Sequence, residues 1–479
     1  MRPRPQAKSL ALAILITVHC SFARSQATAG TEEVRSMLRV VSKLVPQIDN
    51  DQRPNIAYNI AGQQMRIGDL SGALKTVQAV GGAERDRVWV LTNVASVLAW
   101  QGNASQAIQM IQSAAKTDMQ GRAQAYVSIA QERALKGDFD GALRIVKLIE
   151  DGPAFPGESN LLLDALIRIQ MKQWETGDRA GAETTLNKAL DVVQTEQANS
   201  STPEFAKVMP VQMYGALVGA LAREGNRAEA YTVLERVYGL VADAGESPQK
   251  QDLLYALAAA QANLGEYQDA LDTAHSMEDG DKRDSAIFLT SLERTQHGDL
   301  TGALDLALDL SVEFSRNTSL REIAGAQAAS GNYVEALATI DRIEGAADRA
   351  YGLSQLALEE AQRKDPVAPL ITQLAWEAAL RAGTNTQPYV LGQIAVARGM
   401  TGDFAGALDI VGTMSDQDGW WAVESLTQML VHADRKTDAI ALAESQTAAY
   451  PKACAYLGIA MQLIDEQKKV SEAIQKDRS

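Results

Sequence analysis

Among 479 residues there are four histidines and two cysteines, so the side chains that most often ligate metals or attack substrates are scarce. His19, His275, His297 and His432 stand far apart, with none of the i, i+4 spacing that puts two imidazoles on one helical face for zinc. No Gly-x-Ser-x-Gly elbow, phosphate loop, dinucleotide fingerprint or Cys pair occurs. Asp279, Asp281 and Asp284 look like a fragment of a calcium loop, but its glycine and its terminal glutamate are missing. Most other acids fall at recurring turn positions, where capping a helix accounts for them. Asp164, Asp252 and Glu424 are the carboxylates left for hydrolytic chemistry, and they belong to no recognisable motif. The expectation is no catalytic residue, no metal and no cofactor.

The elements that carry these residues are one unit written many times. Gly-Asp-x-x-Gly-Ala-Leu stands at Gly68–Leu74, Gly137–Leu143, Gly298–Leu304 and Gly402–Leu408. Looser copies start at Gly102, Gly177, Gly225, Gly265 and Gly331, and copies without the glycine start at Lys364, Asp434 and Lys468. Successive anchors lie 32 to 48 residues apart, the range of helical repeats. Five residues after the anchor stands Ala in ten of the first eleven copies, from Ala73 to Ala439, with Pro369 the exception. Offsets −11, −8 and −7 are apolar or small, and offsets +5, +9 and +12 form a second apolar stripe. Each stripe has the period of an amphipathic α-helix. Each unit therefore reads as two helices.

The turn between them has local causes. Glycine at the anchor supplies the left-handed residue that ends a helix. Asp or Asn follows it in nine copies and caps the next helix. The constant Ala marks a close approach of two helix backbones. An Arg stands fifteen before the anchor in six copies (Arg53, Arg87, Arg122, Arg283, Arg316 and Arg349), and pairing with acids at the ends of preceding helices is expected.

Residues 1–25 stand outside the repeats. Arg2, Arg4 and Lys8 precede an apolar run from Leu10 to Val18, and Ala23 and Ser25 suit cleavage before Gln26. This is the build of a secretory signal peptide, too short in its apolar part to span a bilayer. Cleavage would remove four bases and no acid, taking the net charge from −15 to −19 and leaving Cys454 as the one cysteine. Such a balance argues against nucleic acid, which needs clustered Lys and Arg. Residues 26–54 hold a capping helix with Val34, Leu38, Val41 and Val45 on one face, 55–467 hold the repeats, and 468–479 form a polar cap. Loops lengthen around Asp151–Asn160, Gln197–Pro210 and Ala242–Gln251, which reads equally as tolerated loop drift or as the kind of insertion that often marks a binding face.

A turn glycine, a constant Ala and a period near 34 residues make the chain resemble a divergent tetratricopeptide repeat protein, with Sel1-like repeats as the close alternative. It departs from the family at offset −4, where Gln64, Arg133, Gln261, Gln327 and Arg398 replace an aromatic residue, and the family's terminal proline is absent. The resemblance implies an all-α fold, a right-handed α-solenoid of about eleven to twelve helix-turn-helix repeats. It also implies that the first helix of each unit lines a concave groove. Carried over by offset, the inward positions hold Trp89, Tyr351, Tyr389 and Trp421 at −13, Tyr58, Tyr255 and Phe288 at −10, and Trp100 at −2. These rings are candidate partner-binding residues, with core packing as the competing account. The function expected is an exported, periplasmic or secreted scaffold that binds a protein or peptide, without nucleic acid and without a membrane span. The alternative is a helical toroid enzyme acting on an envelope polysaccharide.

Overall fold

The computed structural model describes residues 31–199, 205–244, 250–278 and 280–476, and the expected signal segment lies outside them. Helix α1 covers 31–44. Paired helices follow: α2 (Arg53–Arg66) with α3 (Leu70–Ala79), α4 (Glu84–Trp100) with α5 (Ala104–Ala114), and α6 (Met119–Leu135) with α7 (Phe139–Glu150). Next come α8 (Glu158–Glu175) with α9 (Arg179–Asn199), α10 (Phe205–Arg223) with α11 (Arg227–Ala244), and α12 (Lys250–Leu264) with α13 (Tyr267–His275). The pairs continue as α14 (Asp281–Gln296) with α15 (Leu300–Asp309), α16 (Glu313–Ala329) with α17 (Tyr333–Ile340), and α18 (Ala346–Arg363) with α19 (Ala368–Ala382). Then come α20 (Pro388–Met400), α21 (Phe404–Val411), α22 (Asp416–His432) with α23 (Lys436–Ser445), and the long α24 (Ala449–Lys476). No strand occurs among the described residues. The described residues thus form an all-helical array of helix-turn-helix repeats.

Two compact units form: Met1–Val94 with Gly402–Ser479, and Ala95–Thr401. Within the second, the first helices of successive repeats, α6 to α20, pack on one another as a continuous layer. The second helices make no comparable contact with each other; each lies between its own first helix and the next one. The constant Ala is the reason such packing is possible. Ala142, Ala230, Ala270, Ala303 and Ala336 are all 0% exposed, and a larger side chain at any of them would overpack the contact by about 1–3 kcal/mol.

The anchor turns carry the left-handed backbone that their sequence calls for. Nine anchor glycines have φ between 74° and 94°, and Lys364 and Asp434 take the same conformation at 58° and 60°. Capping at the next position divides by residue type. Asp69, Asp138, Asp178, Asp299 and Asp403 each accept the backbone N–H three residues on, at 2.8–3.0 Å. Asn103 and Asn332 make no such bond, which corrects the capping expected at those two positions; their turns form on the glycine alone. The second glycine of the motif follows from this cap. A Cβ at Gly72 or Gly141 would collide with the capping carboxylate.

Offset −4, where the resemblance fails, holds a different device. Thr76, Thr185, Thr273 and Thr339 donate to Gln64, Gln173, Gln261 and Gln327 at 2.7–2.8 Å, tying the two helices of a repeat together. The same amides reach the preceding second-layer helix: Gln64 donates to Ser42 of α1 at 3.1 Å and Gln261 to the Tyr238 hydroxyl of α11 at 2.7 Å. Where an Arg replaces the Gln it pairs with the capping Asp instead, as Arg133 does with Asp138 and Arg294 with Asp299.

The recurring Arg bonds backbone more than carboxylates, which corrects the expected acid pairing. Arg53 donates to Ile48, Pro46 and Val80 carbonyls, Arg87 to Gly82, Arg316 to Leu310 and Arg349 to Ile343. Ion pairing is added at Arg316, 3.2 Å from Glu344. Carbonyls at a helix C-terminus lack intrahelical donors and carry negative partial charge, so a guanidinium fork satisfies both needs.

Two expected loops are shorter than the sequence implies. Residues 151–157 do form a loop, but α9 runs on to Asn199 and α10 starts at Phe205, taking Pro210 into a helix. Likewise α11 reaches Ala244 and α12 begins at Lys250. In the first unit the first and last described helices pack into one body. Helix α1 buries Val34, Leu38 and Val41, α2 lies against α24, and polar contacts join Arg66 to Asp465 (2.7 Å) and Glu33 to Lys436 (2.6 Å). Residues 468–476 are the last turns of α24 rather than a separate helix.

Candidate functional site

The first helices present most of the rings singled out by sequence, and successive helices bring some of them together. In the first unit Tyr58 of α2 and Trp89 of α4 stack, with centroids 5.0 Å apart and planes 21° from parallel. The Asn93 side chain donates to the Tyr58 carbonyl at 2.9 Å, and the absence of a Cβ at Gly62 leaves it room. Trp89 stays 45% exposed. In the second unit Tyr351 of α18 and Tyr389 of α20 meet edge to face, centroids 4.9 Å apart at 89°. The Arg321 guanidinium of α16 lies 4.4 Å over the Tyr351 ring, so three consecutive first helices share this contact. Tyr389 is 40% exposed, and burial together with Tyr351 pushes its phenol up to about 12.

The remaining rings are not brought into pairs with one another. Trp100 is 49% exposed, with the Lys136 ammonium 4.7 Å over its ring. Tyr255 and Phe288 are half-buried against a cluster of Leu254, Leu271, Met277, Ile287 and Leu310. Trp421 is half-buried, while its neighbour Trp420, which the repeat register did not single out, meets Tyr450 of α24 edge-on at 5.4 Å. Arg321 was missed too. It occupies offset −10, the column that holds Tyr255 and Phe288, so its place on the same face was legible.

The three carboxylates considered for chemistry are separately accounted for. Asp164 is held by both oxygens to Arg168 at 2.9 Å, and Asp252 pairs with Lys282 at 2.6 Å. Glu424 of α22 faces Tyr450 and Cys454 of α24, where Gly458 lets the two helix backbones approach closely. Burial lifts its carboxyl to about 7, with no cation set against it, and burial also pushes the Tyr450 phenol and the Cys454 thiol up. A thiol held protonated is a poor nucleophile. Asp284 is occupied by the Ser311 and Val312 backbone, Asp279 lies outside the described residues, and no group of His, Cys, Asp or Glu among the described residues could hold a metal. His297 lies against Glu293 and His432 against Gln462, each in its own repeat.

On the second-helix side, a cleft of about 780 Å³ opens between α7, α8 and α9, with Ala154 and Phe155 of the 151–157 loop in its wall. Its floor is apolar (Leu162, Leu166, Val192) and its rim carries exposed charges of both signs, among them Arg144, Lys188 and Asp191. No described helix is long and apolar enough to cross a membrane.

No family model matches the chain, and no curated protein matches it in sequence. Solved helical structures resemble it distantly. Ton1535 from Thermococcus onnurineus NA1 is 15% identical over 77% of this chain and 98% of its own, with a TM-score of 0.31. A Rap protein complexed with competence and sporulation factor is 12% identical over 73% and 99%, with a TM-score of 0.26. The pentatricopeptide repeat protein PPR10, in complex with an 18-nt psaJ RNA element, is 14% identical over 95% and 68%, with a TM-score of 0.32. At these TM-scores none of them bears on what the chain does.

Proposed function

We propose that the chain is a non-catalytic helical-repeat scaffold, exported after cleavage near Ser25, that binds a protein or peptide segment along its first helices. One observation carries this reading: rings on successive first helices meet each other, Tyr58 with Trp89 and Tyr351 with Tyr389, yet remain open to solvent. A ring needed only for the core would be covered, whereas rigid aromatic side chains held half-exposed are what interface hot spots are made of. The separate neutralisation of Asp164 and Asp252 supports binding over hydrolysis, which needs two carboxylates working on one bond.

Photo-crosslinking in the native host tests this. A photoreactive residue in place of Tyr389 should trap one specific partner, and the same residue in place of Val334, exposed on α17, should not. Equal trapping at both positions, or purified protein that degrades an envelope glycan, would overturn the scaffold reading. Export is tested by the mass of the mature chain: an N-terminus at Gln26 is expected, and one at Met1 removes that part.

A further inference from the structure

Helix α1 is preceded by no partner helix among the described residues, yet it sits as the second helix of a repeat. Gln261 of α12 donates to Tyr238, which stands at offset +13 in the preceding second helix α11. Gln64 of α2, at the same offset −4, donates to Ser42 of α1 at 3.1 Å. Giving Ser42 offset +13 places Thr31 at +2, where second helices such as α3 and α7 begin. It also places Val34, Leu38 and Val41 at +5, +9 and +12. Those offsets are the apolar stripe of a second helix, and the three residues are 0–1% exposed.

The first helix that matches α1 is α24. It packs on α22 and α23 as the next first helix in the array does, and then on α2. Its copy of the motif is anchored at Lys468, so Gln467 stands at −1. The Thr31 hydroxyl, at +2, donates to the Gln467 side chain at 3.4 Å, across 436 positions of chain. After α1, the short helical turn Val45–Gln47 touches α2, α3 and α24, the place between own and next first helix that second helices take. The neighbouring repeats fit the same register. Lys436, at +2 of α23, binds Glu33 in the first turn of α1 at 2.6 Å, much as Arg227, at +2 of α11, binds Glu266 at the start of α13 at 3.2 Å. Among the first helices, Arg66 of α2 binds Asp465 of α24 at 2.7 Å.

We infer that α24 and α1 form one composite repeat, a clasp with no turn between its helices, and that undocking of α1 from this clasp is how the first unit opens. Elsewhere a short turn keeps the two helices of a repeat close when their packing loosens. Here nothing in the chain does so, and joining residues so far apart costs more entropy than a short turn. The joint therefore stands on the buried stripe of α1 and on polar contacts that are open to solvent. The tether from α1 to α2 is the exposed turn at 49–51, so α1 can leave while α24 stays folded. Its departure takes the Ser42 bond from α2, the helix that presents Tyr58 to Trp89.

The test uses the mature full-length protein with a protease site placed in the exposed turn at 49–51. After cleavage α1 is held by packing alone, and it should still elute with the rest of the chain from a sizing column. Lys436→Glu sets two acids against each other and should speed release of the α1 segment about fivefold. Adding Glu33→Lys restores an opposite pair and should restore the original rate. Immediate release from the wild-type sequence, an unchanged rate in Lys436→Glu, or no recovery in the double variant would overturn the inference. In the last two cases α1 would be a cap on α2 and α3 alone. A circular permutant keeps the inference testable if a charge variant fails to fold. It runs from Gln467 through a Gly-Asp turn into Thr31 and has its termini in the turn at 49–51, which supplies the turn that the repeat motif calls for. It should match the helical circular dichroism of the parent and raise the denaturation midpoint. A permutant that does not fold, or one with a lower midpoint, would overturn the composite repeat.

Discussion

Glu424 makes the pH dependence of stability a direct test of how α22 and α24 pack. Its carboxyl faces a phenol and a thiol rather than a cation, at a seam closed by the backbone approach of Gly458 to Glu424. Burial raises it from 4.5 to about 7. Because the folded value lies above the unfolded one, the folded state holds the proton more tightly. The resulting stabilisation is complete below about 4.5 and is lost as pH rises through about 7. At 1.36 kcal/mol per pH unit of difference, the loss is about 3 kcal/mol. Glu424→Gln keeps the size and removes the charge, so it should be more stable than the wild type by about that amount near pH 8 and about equal to it near pH 5. Urea titrations of the two proteins followed by far-ultraviolet circular dichroism measure the difference. Glu132, Glu224, Glu293 and Glu359, whose carboxyls burial also raises, are present in both proteins and cancel in the difference. Parallel pH profiles for wild type and variant would refute the reasoning, since they would mean that Glu424 stays hydrated in the fold.

The Gln327–Thr339 bond should show in a double-mutant cycle. Thr339→Val orphans the glutamine oxygen and should cost about 1–3 kcal/mol, Gln327→Leu less because the threonine hydroxyl can turn to its own helix, and the double variant about as little as the milder single. A coupling energy near zero would show that the bond adds nothing. Lys364→Gly should stabilise by about 0.5–1 kcal/mol, the relief of a left-handed lysine less the flexibility that glycine adds, measured as a shift in denaturation midpoint. Trp89→Ala should cost only about 1–2 kcal/mol, given its exposure and one stacked partner; a loss of about 3–5 kcal/mol would make it a core residue and remove it from the binding face.

Much of the repeat was legible because its causes are local. The anchor glycine, the capping Asp and the buried Ala column each answer to backbone geometry or contacts within one helical hairpin. The Gln–Thr tie was also within reach. Thr stands at +8 in the copies where Gln stands at −4, whereas the copies anchored at Gly137, Gly298 and Gly402 have Arg at −4 and Ile or Leu at +8. Other inferences failed for a physical reason. Spacing placed the recurring Arg at the end of a preceding helix but could not tell a carboxylate from a helix-end carbonyl, because both carry negative charge at the same place.

By itself, then, the sequence determined an all-helical repeat and most of its turn chemistry, together with a stripe of rings on the first helices. Hydrogen bonds three to five residues long and stripes of period 3.6 are written in order along the chain. Only the tertiary structure decided which rings meet, that the Arg321 guanidinium lies over one of them, and that Arg66 binds Asp465, 399 positions away. Those contacts depend on how one helix surface fits another, and no spacing along the chain encodes that fit.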